Sequence, residues 1–301
     1  MNALLRSWER LPVIVRAAVA GAVVVSAGTL PQSILTRLNF QFAPGIPWSV
    51  PVMALYLYVY WRLVSGRGWP RAAADWRRSS LRAVPLPGHV WRSSLLAGSL
   101  AWVGLLSLRI FGDTLLRLPS EGWPGAGYPF ATLLAYVLMA SLVAGIAEEA
   151  GFRGYMQGPI ERRHGPFVAI LTVGGFFWLA HFANYLGHEH LFFVYLPFYL
   201  AAAAIFGLLA YLTGSILPGV VLHAGADLLG LGLLWWWGST TFWEGGERRS
   251  LVLWTTGAVF VLFTPLACWA YRRLSVVARG KAGGAPGAGG APGASAGRSE
   301  P

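Results

Sequence analysis

The sequence is poor in charge and nearly without cysteine. Only 12% of its 301 residues are Asp, Glu, Lys or Arg, about half the share usual in a soluble domain. With 55% hydrophobic residues and a mean hydropathy of +0.54, that shortage excludes an ordinary soluble chain and points to the membrane. The single cysteine, Cys268, excludes an intramolecular disulfide and any multi-cysteine metal site. Within an apolar run it reads as a buried, inert thiol. Also missing are the HExxH zinc helix, the Gly-x-Ser-x-Gly elbow and the phosphate loop. Ser141 and Ser215 have no motif around them, which argues against serine-protease chemistry. No long internal repeat is visible, and no small-x-small cleavage site follows the first apolar run, so that run reads as an uncleaved span.

What is present is a series of apolar runs, each long enough at about 20 residues to cross a bilayer. They lie near 13–35, 46–65, 93–112, 129–158, 166–186, 190–213, 215–237 and 251–271. The expected fold is all-α, a polytopic membrane helix bundle of about eight transmembrane helices. The net charge of +11 is set by where the arginines fall. With eight spans and both termini cytoplasmic, 17 of the 23 Lys and Arg lie inside and 5 outside, Arg153 being set aside. That is the positive-inside bias, and it replaces nucleic acid as the explanation of the charge; contact with anionic lipid is a minor part of it. The Ala-, Gly-, Arg- and Pro-rich usage fits a bacterial inner membrane.

Residues 1–128 are expected to hold the first transmembrane helices, a basic cytoplasmic loop at 66–92 and an external loop at 113–128. Residues 129–237 carry the polar residues discussed below, 238–275 the last span, and 276–301 a disordered Gly/Ala/Pro tail. Trp235-Trp236-Trp237 reads as an interfacial aromatic belt.

Ionisable groups inside spans cost roughly 2.5–3.5 kcal/mol each on insertion scales, which makes them candidates for function. In Ala147-Glu148-Glu149-Ala150-Gly151-Phe152-Arg153, Glu149 and Arg153 are four apart and share a helix face, so they can pair. Glu148 points about 100° away and is left free, as a general base requires. His181, in Phe177-Trp178-Leu179-Ala180-His181, is the second feature. The break between spans is expected at His164-Gly165-Pro166, with Glu148 17 residues before Gly165 and His181 16 after it. In an antiparallel hairpin the two land at one depth, and Phe177 can wall the histidine from water. The third feature is His223-Ala224-Gly225-Ala226-Asp227, whose i,i+4 spacing lets Asp227 orient His223. The small residues between them allow close helix approach. His223 follows Pro218 by only five residues, nearer the cytoplasmic face than Glu148 and His181. Either the hairpin projects beyond the bilayer or a boundary differs. The remaining histidines, His89, His164, His188 and His190, fall in loops and turns and read as solvated.

Together, Glu148-Glu149-x-x-x-Arg153, Phe177-x-x-x-His181 and His223-x-x-x-Asp227 resemble the CPBP family of intramembrane proteases. That family includes the CAAX prenyl endopeptidases (Rce1-like) and the bacterial Abi proteins. The resemblance covers roughly residues 129–237. It implies a conical eight-helix bundle with a cavity open to the cytoplasmic leaflet, and hydrolysis of a membrane-associated protein or peptide. Carried over, it implies that Glu148 activates water with help from His181. His223 and Asp227 would bind or polarise the scissile carbonyl, while Glu149 and Arg153 hold the helix in place and Phe177 supports them. The family commonly has Asn or Asp at the last position; an ionised Asp227 cannot donate to an oxyanion as Asn can. Cofactors are either none or Zn2+, for which Glu148, His181 and His223 would be the ligand set. Two rival classes are a proton-coupled transporter, for which no paired repeats are found, and a non-catalytic immunity or scaffold protein of the same fold. Retention of every motif residue favours the enzyme.

Overall fold

The computed structural model describes residues 8–118, 128–230 and 246–283, and among these every regular element is helical. In chain order the helices are α1 (Val13–Phe42), α2 (Ser49–Val64), α3 (Ala74–Leu81), α4 (Gly88–Leu116) and α5 (Phe130–Glu148). A π-helical segment, Glu149–Gln157, continues α5 into α6 (Gly158–Ala180). A 3₁₀ turn (Phe182–Tyr185) leads to α7 (Glu189–Val194), α8 (Leu196–Thr213), α9 (Leu217–Asp227) and α10 (Gly246–Gly283). Five helical stretches are long and apolar enough to span a membrane, and Ser49–Val64 and Leu217–Gly230 are shorter apolar helices. One of the five, Phe130–Ala180, is 51 residues long and is broken at Gly165. Among the described residues, five such stretches stand against the eight expected. Many Leu, Val, Phe and Trp side chains face outward on these helices, as they do where lipid replaces water. This is an integral membrane protein.

Local chemistry explains the turns. After α1 the Asn39 amide donates to the carbonyls of Ala43 and Ile46, both at 3.0 Å, and its Oδ1 accepts from the Ser49 N–H at 2.9 Å. The chain is thus fastened into α2 by one side chain. The basic segment expected as a loop contains α3, held by Arg77, which donates to the Gly68 and Pro70 carbonyls. At Gly165 the backbone has φ +82°, open to glycine, and Pro166 supplies no N–H to continue the helix. The chain reverses there: the rings of Phe152 and Phe177 meet at 5.3 Å, edge to face.

A rim of polar contacts fixes the depth of this hairpin. Gln157 Nε2 donates to the Gly207 carbonyl at 2.9 Å, and Arg82 bridges Glu161 at 3.2 Å and the Ala210 carbonyl at 3.0 Å. Ile216 N–H donates to Arg82 O at 3.1 Å and Ser215 Oγ to Val84 O at 2.7 Å, closing the rim across the start of α9. Gln157 and Glu161 are thus level with the α8–α9 turn, and Gly165 lies about 6 Å further on along the helix. Phe167 at that tip is 79% exposed. The hairpin projects past its neighbours, which removes the conflict of depth between His223 and Glu148.

Two expectations are corrected. Cys268 is exposed on the outward face of α10, because Ala267, Ala270 and Leu274 form the buried face. An apolar run in a membrane does not say which side is covered. The helix also continues to Gly283, so residues 276–283 of the supposed tail are helical; Val276, Val277 and Ala278 carry on a pattern that Gly/Pro repeats do not yet interrupt. Trp235–Trp237 and residues 284–301 lie outside the described residues.

The π segment is packed against α1 at two glycines. A Cβ on Gly151 would meet the Gly21 carbonyl oxygen at 2.7 Å, and one on Gly21 would meet that of Gly151 at 2.8 Å. Both obstacles are main chain and cannot turn aside. Gly151→Val is expected to destabilise the bundle by about 1–3 kcal/mol or more, read as a lower melting temperature in detergent. An unchanged melting temperature would show that the crossing can open.

Candidate active site

The site is assembled at the junction of α5, the π segment, α6, α8 and α9. Close crossing makes it possible. A Cβ on Gly145 would meet Val220 O at 2.8 Å and the Ala224 Cβ at 2.9 Å, so α5 and α9 touch almost backbone to backbone. Three residues further along each helix stand Glu148 and His223. Gly219 leaves space in the same way for Glu149: a Cβ there would stand 2.7 Å from Glu149 Oε2.

Every residue of the π segment is buried. Such i→i+5 turns are rare and concentrate at functional sites. Glu149 and Arg153 form the expected ion pair, Oε1 to NH1 at 3.0 Å, with both side chains fully buried. The guanidinium is enclosed by the rings of Phe177 at 4.8 Å, Phe206 at 5.2 Å and Phe152 at 5.8 Å, within cation–π range.

His223 lies on this pair. Its Nδ1 is 2.9 Å from Glu149 Oε1, and its ring stacks on Phe206 at 4.8 Å and 11°. The carboxylate can only accept, so Nδ1 carries the proton. The group that fixes the tautomer is therefore Glu149 and not Asp227, which stands 3.9 Å from His223 Nε2. The i,i+4 spacing put Asp227 on the right face, but a carboxylate from another helix comes nearer. Glu148 Oε2 is also 3.9 Å from Nε2. Both distances exceed a hydrogen bond, so Nε2 is open towards the space between the two carboxylates. Glu148 Oε2 itself has no hydrogen-bond partner. The side chains of Glu148 and Asp227 are 15% and 29% exposed, against 0% for Glu149 and Arg153, which places the open side of the site at the first two.

His181 stands just beyond the last residue of α6, where helix carbonyls lack amide partners. Its Nδ1 lies 2.7 Å from the Phe177 carbonyl oxygen. A carbonyl cannot donate, so Nδ1 is again protonated and the neutral ring presents a lone pair at Nε2. The ring is held between Phe177 at 4.7 Å and Tyr199 at 4.5 Å. Phe177 thus walls His181 as the spacing suggested, and it also packs Arg153. Tyr199, from α8, carries no motif; its hydroxyl shares a hydrogen bond with that of Tyr185 at 2.9 Å. The Phe177 ring also stands 6.3 Å from that of His223, so all three motifs converge on one region.

Among the described residues no three of His, Cys, Asp or Glu converge as metal ligands. Of the set Glu148, His181 and His223, both histidines have Nδ1 engaged, by the Phe177 carbonyl and by Glu149, which leaves Nε2 as the nitrogen a ligand would meet.

A protein-family profile described as Type II CAAX prenyl endopeptidase Rce1-like matches residues 130–229. All three motifs lie within the matched segment, in agreement with the resemblance they carry. The match points to a protease of the CAAX type acting in the membrane. Comparison with curated proteins and with solved structures returns no match.

Proposed function

We propose that the protein is an intramembrane endopeptidase that hydrolyses a peptide bond in a membrane-associated protein or peptide, with Glu148 as the general base. The observation that carries this reading is the contrast between two adjacent carboxylates. Glu149 Oε1 is committed to Arg153 and His223 on a fully buried side chain, whereas the Glu148 side chain is 15% exposed and its Oε2 stands 3.9 Å from His223 Nε2 without a hydrogen bond. In this reading Glu148 takes a proton from water as its oxygen attacks the scissile carbonyl. His181 Nε2 accepts the water's other hydrogen and fixes its direction. His223, when protonated at both nitrogens, keeps Nδ1–H on Glu149 and donates Nε2–H to the developing oxyanion. Asp227 accepts from that imidazole or from a substrate amide. Collapse of the tetrahedral intermediate moves the proton from Glu148 to the leaving amine, giving an amine and a carboxylic acid, which then ionises to water. No step is routed through a metal. We place the rim at Arg82 and Ser215 on the cytoplasmic side, as the arginine bias requires.

The test is cleavage of a membrane-presented peptide library by the purified protein in lipid, beside Glu148→Gln, with and without a zinc chelator. Wild type is expected to cleave in both lanes and the variant in neither. Equal cleavage by both proteins would remove Glu148 as the base, and loss in the chelator lane alone would replace the metal-free mechanism.

Tyr199 is the positioning residue in this scheme. Tyr199→Ala, which frees the His181 ring, is expected to lower kcat by about 10²-fold, whereas Tyr199→Phe keeps the ring and stays near wild type. A KM change at constant kcat would assign Tyr199 to substrate binding instead.

A further inference from the structure

A second polar feature lies away from the catalytic cluster, where α10 runs antiparallel against α4. Val90, Ala97, Ala270 and Leu274 form the buried seam there. Outside that seam Arg92, Ser93 and Leu96 of α4 face Ala270 and Arg273 of α10 across a cleft of about 130 Å³. No acidic residue lines the cleft, and among the described residues neither arginine has an ion-pair partner. Both are exposed, and side chains of both line one small space. Arg273 is further held over the Trp269 ring at 5.6 Å, which restricts where its charge can go. Below the two charges the wall is apolar, and the outward face of α10 continues it with the exposed Leu266, Leu262 and Trp269.

We infer that Arg92 and Arg273 form a clamp for a phosphate group, a site separate from and independent of the proteolytic reading. Paired guanidinium groups match phosphate oxygens in geometry and charge, and Ser93 adds a hydroxyl donor. The apolar wall beneath them suits an acyl chain, so an anionic phospholipid headgroup is the favoured source and free phosphate the other. The clamp lies towards the ends of two spanning helices, next to the basic segment, where such a headgroup would stand.

The test uses the full-length protein and native mass spectrometry, with phosphatidylglycerol, phosphatidylcholine of the same chains, and inorganic phosphate as separate probes. Wild type is expected to retain phosphatidylglycerol in preference to phosphatidylcholine. Arg92→Gln/Arg273→Gln should weaken that retention roughly 30-fold, from the loss of two near-surface arginines. Arg67→Gln/Arg71→Gln removes the same charge from the exposed basic segment and should leave retention intact. Displacement of the lipid by equimolar inorganic phosphate would name free phosphate as the source, and no displacement would name the lipid. Equal binding of the two lipids, or equal loss in both double variants, would overturn the clamp in favour of diffuse charge. Arg273→Gln alone should give an intermediate loss, which keeps the test readable if the double variant folds poorly.

Discussion

Glu148→Gln is expected to lower the rate of peptide cleavage by about 10²- to 10⁴-fold, the range set by removing a general base. The substitution keeps the shape of the side chain and takes away only its ability to accept a proton. Few structural consequences should accompany it. Glu148 Oε2 has no hydrogen-bond partner and His223 Nε2 is 3.9 Å away, beyond hydrogen-bond length, so no hydrogen bond is broken. Thermal unfolding in detergent should therefore match wild type within the spread usual for surface changes, about 0.5 kcal/mol. The combination matters: a lost rate with retained stability identifies chemistry, whereas parallel loss of both would make Glu148 part of the scaffold.

Arg153→Met should behave in the opposite way. The guanidinium is wholly buried beside Glu149, and its removal leaves that carboxylate buried with His223 as its one remaining partner. Breaking a buried pair from one side typically costs about 3–5 kcal/mol. Methionine fills much of the volume among Phe152, Phe177 and Phe206, so the loss reports charge more than cavity. Glu149→Gln/Arg153→Met should recover a large part of the stability, because neither charge then remains. It should not recover activity, since His223 loses the carboxylate that holds its Nδ1 proton. A double variant as unstable as Arg153→Met would assign the cost to lost packing around the rings.

Short-range rules made part of this arrangement legible in the sequence. The Glu149–Arg153 pair follows from i,i+4 spacing on one turn, and the reversal of the chain follows from Gly165-Pro166. What escaped were contacts between helices far apart in the chain. Glu149 and His223 are 74 residues apart, and nothing in either segment says that Glu149 will reach the imidazole before Asp227 does. That outcome depends on Gly145 and Gly219 letting α9 come close, a steric fact visible only when both helices are in place. Tyr199 was missed for a related reason: in a lipid-soluble span a tyrosine is ordinary, and its contact with His181 lies in the packing. The outward turn of Cys268 has the same origin, because lipid and protein interior are equally apolar and leave no periodic signal.

The rim formed by Gln157, Arg82 and Ser215 also acts as a ruler. Glu149 and His223 each lie eight residues along their helices from it, a depth of about 12 Å. Gln157 and Ser215 are themselves fully buried, so the rim is a sealed seam of helix contacts, and the site opens instead on the side of Glu148 and Asp227.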